Sequence, residues 1–168
     1  AAVERRVARL PWVQDATVTR SWPGTITGTL VERTPVATMG AGTRTVLIDA
    51  QGRVLGLAAG AKALPEVAGT PAEPGSRVRA AQRSVVSVVA GLPVDLRRQV
   101  ARAWATPSGV VLRLDDDITV RWGDTGQPSA KAEALRVLLD QADRPTIDGI
   151  DVSVPRAATL TRQTGGGQ

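Results

Sequence analysis

Few side chains in this sequence carry the chemistry that catalysis or metal binding needs. The chain has no His and no Cys. Without them no side chain has an unperturbed pKa near neutrality. Neither a Ser-His-Asp triad, a Cys nucleophile nor a thiolate or imidazole metal site can be assembled. The densest acidic run is Asp115-Asp116-Asp117, and clustered carboxylates suit hard cations. A calcium loop, however, spaces its ligands alternately and adds a separate Glu, so this run reads as a solvated hairpin turn. Lys131 opens a helical segment with Ala132 and Glu133. A catalytic lysine needs burial and a lowered pKa, and a surface lysine is the expectation here. Gly165 to Gly167 precede no helix and make no phosphate loop. No cofactor, metal or catalytic residue is expected. A hydrolase built on convergent Asp and Glu residues is the remaining catalytic alternative.

The 168 residues suit one medium domain or two small ones. Hydrophobic residues at 42% and charged residues at 22% are ordinary for a folded protein. Aromatics amount to 2%, all of it Trp, so the core must be Val, Leu, Ile, Ala and tryptophan. A net charge of +5 raises nucleic acid or an anionic membrane as partners. The arginines lie singly or in pairs (Arg5-Arg6, Arg97-Arg98) among carboxylates, and no Phe or Tyr is present to stack bases. Nucleic-acid binding is therefore not expected. No stretch approaches the ~18 apolar residues of a membrane-spanning helix.

The elements follow from periodicity and punctuation. Val3, Val7 and Leu10 share a helical face that Pro11 terminates. Asp15 to Arg20 alternates as a strand, Trp22-Pro23-Gly24 turns, and Thr25 to Val31 returns with Ile26, Leu30 and Val31 expected inward. Pro35 to Met39, Thr45 to Asp49 and Arg53 to Leu57 read as a meander, the second buried on both faces. Leu64 to Ser76, rich in Pro and Gly, reads as a loop or short edge strand. Ala80 to Ala90 has a helical period despite its β-branched residues, and Asp95 to Gln99 makes one helical turn. Val100 to Thr106, Val110 to Leu114 and Ile118 to Trp122 are strands. Ser129 to Ala142 is the clearest helix, with Ser129 as its N-cap. Ile147 to Val154 is a final strand stopped by Pro155, and 161–168 reads as a flexible tail.

Several motifs occur in a specific order. Leu10-Pro11-Trp12-Val13 is followed by Arg20-Ser21-Trp22-Pro23, then Val31-Glu32-Arg33-Thr34-Pro35-Val36-Ala37. Leu47-Ile48-Asp49, Gly52-Arg53-Val54, Trp122-Gly123 ahead of the Lys131 helix, and Ile150-Asp151-Val152-Ser153 follow. This series resembles the signature of the FtsQ/DivIB family of bacterial cell-division proteins over nearly the whole chain. The resemblance implies an α+β architecture: a partial POTRA α/β unit at 1–33, lacking the first strand and helix of that domain, then a mostly antiparallel β-sheet domain with flanking helices at 34–160. It makes Pro11, Trp12, Trp22, Pro23, Glu32, Arg33 and Pro35 structural motif residues. Trp12 is expected in the core, Trp22 over the hairpin end, and Glu32-Arg33 as a charged pair fixing the angle between the units.

The resemblance also implies a non-enzymatic scaffold of the division septum. Its partners would be FtsB (DivIC in some bacteria) and FtsL, and one membrane-spanning helix upstream of residue 1 would hold it on the extracytoplasmic side. The strongly alternating last strand, Gly149, Ile150, Asp151, Val152, Ser153 and Val154, is expected at a sheet edge, where a partner strand can pair with it. Arg156 is a candidate cation beside it. The competing reading, a POTRA-bearing transport component, predicts further POTRA units or long barrel strands after residue 33.

Overall fold

The computed structural model describes residues 2–58, 64–141 and 144–162, with side chains from Arg5 onward. The side chain of Val3, the helix end at Ala142 and the tail beyond Arg162 lie outside the described residues. A short helix, α1 (Ala2–Val7), steps through two turns past Pro11. β1 (Val13–Ser21) then pairs antiparallel with β2 (Thr25–Glu32) across the Trp22-Pro23-Gly24 turn, whose Trp22-Pro23 peptide is cis. Ala16, Val18, Ile26 and Leu30 share one face of this ribbon with Val7.

That face is not the closed core expected of it. Ile26 is 69% and Leu30 57% exposed, and Val31 points to the other side and is exposed as well. A six-residue helix over two strands cannot enclose a core. Trp22 is likewise exposed at the tip and does not cover the hairpin. Among the described residues of this ribbon only Val13, at its base, is buried.

The remainder is one nine-stranded sheet. Its strands are β3 (Pro35–Met39), β4 (Val46–Asp49), β5 (Val54–Leu57), β6 (Glu66–Val67), β7 (Val100–Thr106), β8 (Gly109–Leu114), β9 (Thr119–Gly123), β10 (Ile147–Asp151) and β11 (Thr159–Arg162). They lie in the order β11-β10-β9-β8-β7-β6-β3-β4-β5. Consecutive strands pair antiparallel, while β6 pairs parallel with both β3 and β7, and β10 parallel with β9. The Leu64 to Ser76 region therefore supplies a central strand rather than an edge. Two residues suffice because Val67 is fully buried between β3 and β7. Four consecutive buried residues make β4 the two-faced strand its apolar run predicted. Thr161 and Arg162, read as tail, belong to β11.

Helices α2 (Ala80–Gly91), α3 (Val94–Arg97) and α4 (Pro128–Gln141) cover one face. Val85, Val86, Val88 and Val89 of α2 join Ala103, Leu112, Leu114, Val120 and Trp122 in a single core. Each such side chain contributes roughly 1.5–3 kcal/mol on burial, which outweighs the few tenths that a valine costs a helix. α4 begins at Pro128, not after Ser129. Proline suits the first helical position, and the Gln127 carbonyl accepts the Lys131 N–H at 3.1 Å.

The two units meet at Arg33. Its Nε donates to the Val13 carbonyl at 3.1 Å and its Nη1 to Asp49 Oδ2 at 2.7 Å. Asp49, at the end of β4, is 1% exposed. Its other oxygen accepts the N–H groups of Gln51 (2.9 Å) and Arg53 (2.8 Å), closing the β4–β5 turn. The charged pair at the junction is thus Arg33 with Asp49, not with Glu32, which is exposed. Trp12 is 39% exposed and lies against Gly56 of β5, where a Cβ would come 3.4 Å from the indole nitrogen. It spans the junction instead of filling a core.

A second polar anchor reverses a sequence expectation. Lys131 is 1% exposed. Its ammonium donates to the Asp124 carbonyl at 2.9 Å and to Asp124 Oδ1 at 2.6 Å. The helical period puts Lys131 four residues before Leu135, on the buried face, and only its charge had pointed to the surface. The link holds α4 against Gly123, whose φ of +78° and contact with Ser153 leave no room for a side chain. The Lys131 hydrogen bond, then the Gly126 N–H, hold the Asp124 carboxyl below its ordinary 3.8.

Arg33→Ala strips the buried Asp49 of its cation while two N–H bonds remain, and is expected to lower unfolding free energy by about 2–3 kcal/mol in urea titration. Leaving the Lys131 ammonium buried without its carboxylate is worse than removing it. Asp124→Ala should therefore lower Tm more than Lys131→Met does. Because the folded carboxyl titrates below the unfolded one, this stabilisation is complete above about pH 4. It is lost as pH falls through the folded value. Acid titration of Tm should show a shallower decline in Asp124→Ala than in the parent chain.

Candidate partner-binding edge

The expected edge strand is not at the edge. Gly149, Ile150 and Asp151 of β10 pair on one side with Thr119, Val120 and Arg121 of β9. On the other they pair with Thr161, Leu160 and Thr159 of β11. Ile150 is 2% exposed and Val152 fully buried, its N–H donating to the Arg121 carbonyl at 3.0 Å. Ser153 sits in a turn in which Asp151 Oδ1 accepts both its N–H (2.9 Å) and its hydroxyl (2.6 Å). Val154 is extended and exposed ahead of a 3-10 turn at Pro155–Ala157. Pro155 thus stops one strand and starts the reversal into another.

Among the described residues, the free edge is that of β11. Its four residues form the end of the sheet. Leu160 packs partly against the core while Thr159, Thr161 and Arg162 are exposed. On the open face of the sheet, Thr119, Arg121, Asp151, Thr159 and Thr161 line a shallow groove of about 500 Å³ that runs up to this edge. Arg121 and Asp151 pair loosely across it at 3.6 Å. Arg156 is exposed on the connecting turn. The sequence signal for β11 was the alternation of Thr159, Leu160 and Thr161, too short to stand out beside a glycine-rich terminus.

Another cleft, about 690 Å³ between α3 and α4, is lined by Asp95, Gln99, Arg136 and Arg144. Its charges are already matched. Arg136 pairs with Asp95 (3.0 Å) and Glu133 (2.9 Å), and Arg144 with Asp116 (3.2 Å) and Gln99 (2.6 Å). The Arg136 hydrogen bond holds the Asp95 carboxyl below its ordinary range, and the same contact raises Arg136 further. Arg136 and Asp95, so satisfied, have little to offer a ligand, although Arg144 Nε lies near Asp116 without a hydrogen bond. Asp115-Asp116-Asp117 is the β8–β9 turn, with Asp117 paired to Arg113 and Asp116 to Arg144. Among the described residues no group of three or more acidic side chains could hold a metal ion.

The motif residues are spread over the junction rather than gathered at one site. Pro11 approaches Gly75, Trp12 lies on Gly56, Arg33 holds Asp49 and Pro35 opens β3. Trp22 and Pro23 form the distant hairpin tip.

Comparison with known proteins agrees with this architecture. The FtsQ-type POTRA domain matches residues 1–33, and the family Cell division protein FtsQ/DivIB, C-terminal, matches residues 37–159. The cell division protein FtsQ of Mycobacteroides abscessus is 37% identical over 164 residues, covering 95% of this chain and 50% of that protein. That of Streptomyces griseus is 33% identical over 169 residues, covering 95% and 79%. That of Mycolicibacterium smegmatis is 32% identical over 161 residues, covering 95% and 46%. The chain thus spans about half the length of the two mycobacterial relatives. With a nine-stranded sheet joined to a POTRA-type hairpin in that order, the chain belongs to the FtsQ/DivIB family of cell division proteins.

Proposed function

We propose that this chain is the extracytoplasmic part of a non-catalytic scaffold of the division septum. In this reading it binds membrane-anchored division proteins of the FtsB/DivIC and FtsL type and helps to control septal wall synthesis. A membrane-spanning helix upstream of residue 1 tethers it. Among the described residues no helix is long and apolar enough to cross a membrane.

The observation that supports a binding role is the edge of β11, bare among the described residues. Half the N–H and C=O groups of such a strand point away from the sheet. A partner segment in extended form satisfies them and continues the sheet. Each backbone hydrogen bond gained contributes only about 0.5–1.5 kcal/mol net, so a four-residue edge alone gives weak binding. The neighbouring groove, with Arg121, Thr159 and Thr161, offers side-chain contacts to the same segment. The six residues Gly149 to Val154 then serve as the support of the binding strand. Val152→Pro would remove a ladder hydrogen bond from inside the sheet and would report on folding, not on partner contact.

The test uses adjacent proline substitutions, because successive N–H groups of a strand point to opposite sides. Of Leu160→Pro and Thr161→Pro, one removes an outward donor and the other a bond to β10. Binding of the extracytoplasmic segment of an FtsB/DivIC-type protein is expected to weaken about tenfold or more in the variant that retains the parent Tm. Unchanged affinity in that variant would sink the edge proposal.

A further inference from the structure

One corner of the molecule goes against two electrostatic rules at once. The segment 75–78 runs antiparallel to the start of β5. Val54 N–H donates to the Ser76 carbonyl (2.9 Å), Gly75 N–H to the Val54 carbonyl (2.7 Å) and Val78 N–H to the Gly52 carbonyl (2.9 Å). This register sets Arg53 directly opposite Arg77. Like charges facing each other across strands destabilise a sheet. Two residues on, Arg79 is the N-cap residue of α2, with no side-chain cap and no acidic residue in the first turn. Arg83 follows at the end of that turn, its stem beside Gly52. Cations at this end of a helix oppose its dipole.

Among the described residues no ion pair offsets the repulsion. Arg33, Arg102, Arg113, Arg121, Arg136 and Arg144 each pair with a carboxylate. Among the described residues, no such pair is made by Arg53, Arg77, Arg79 or Arg83. Asp49, the acid of the adjoining turn, is committed to Arg33 and to two N–H groups. Arg53 donates through Nη2 to the Arg9 carbonyl at 3.3 Å, but its Nε is buried with no acceptor. Local rules broken together, without a compensating contact, are what a binding site looks like in its empty state.

We propose that this corner docks an extended acidic segment of a partner protein. Arg79 has extended backbone (φ −63°, ψ 162°), so Arg77 and Arg79 present their side chains on one face about 7 Å apart. Carboxylates at alternate positions of an extended chain repeat at the same distance. A third carboxylate meets the partly exposed guanidinium end of Arg53. A bilayer carries its charge on a plane and does not follow a strip that turns from a strand pair into a helix start, and a single phosphate cannot span it. The corner adjoins β5, at the opposite end of the sheet from β11, so it stands whether or not β11 binds a strand.

The probe is a fluorescent peptide of four Glu-Ser repeats, with the Gln-Ser peptide as control, titrated against the 168-residue chain at low ionic strength. Saturable binding of the Glu peptide alone, weakening with salt, is expected. Arg77→Glu with Arg79→Glu should weaken it about tenfold or more. Arg20→Glu with Arg98→Glu, the same charge change on other exposed arginines, should change it no more than about twofold. Should the first pair misfold, Arg77→Gln with Arg79→Gln relieves the repulsion and should raise Tm while still weakening the peptide. Absent binding, or equal loss in both arginine pairs, would overturn the proposal. So would phosphatidylglycerol vesicles or inorganic phosphate binding where the peptide does not.

Discussion

An open β-sheet cannot satisfy the backbone groups at both of its ends from within. Here the constraint is met at one end and not at the other. Beside β5 the chain supplies its own cover, as the 75–78 segment pairs with Gly52 and Val54. Beside β11 no strand follows among the described residues. The nine strands between these ends form a rigid platform, with the helices on one face and a polar groove on the other. A stiff sheet with one bare edge among the described residues offers surface in a fixed geometry at little entropic cost to the protein side.

The joint between the two units rests on one carboxylate. Asp49 closes the β4–β5 turn through two N–H groups and receives Arg33 from the hairpin unit. Arg33 also reaches the Val13 carbonyl, and Trp12 lies on Gly56. Turn, interdomain contact and hairpin base are therefore one hydrogen-bonded network, and cooperative networks of this kind fix geometry more than they add stability. The apolar face of the hairpin, with Ile26 and Leu30, contributes nothing to that joint in this chain.

Elements with local signals were legible in the sequence: the β8–β9 hairpin around Asp115 to Asp117, the α2 and α4 periods, and β4 with its apolar run Val46-Leu47-Ile48. The family was legible too, from Leu10-Pro11-Trp12-Val13 through Glu32-Arg33-Thr34-Pro35. What failed were several inferences about which side of an element is covered, since that depends on non-local pairing, although β4 and the Ala132, Leu135 and Leu139 face of α4 are covered as their patterns indicate. Two residues, Glu66 and Val67, became a central strand because β3 and β7 flank them. Lys131 is buried because the exposed Asp124 caps its ammonium from the solvent side. Gly149 to Asp151 became internal because the chain reverses at Pro155 and adds β11. The candidate site moved by one strand, while the kind of site, an exposed sheet edge, stayed the same.

The most direct measurement of the account is amide hydrogen exchange of Thr159, Leu160, Thr161 and Arg162 with and without the extracytoplasmic segment of an FtsB/DivIC-type partner. Strand addition predicts that the outward-facing amides of β11 slow on binding, while those of β10, already paired on both sides, change little. Binding with no added protection along β11, and protection confined to another face, would contradict the claim that this edge receives the partner.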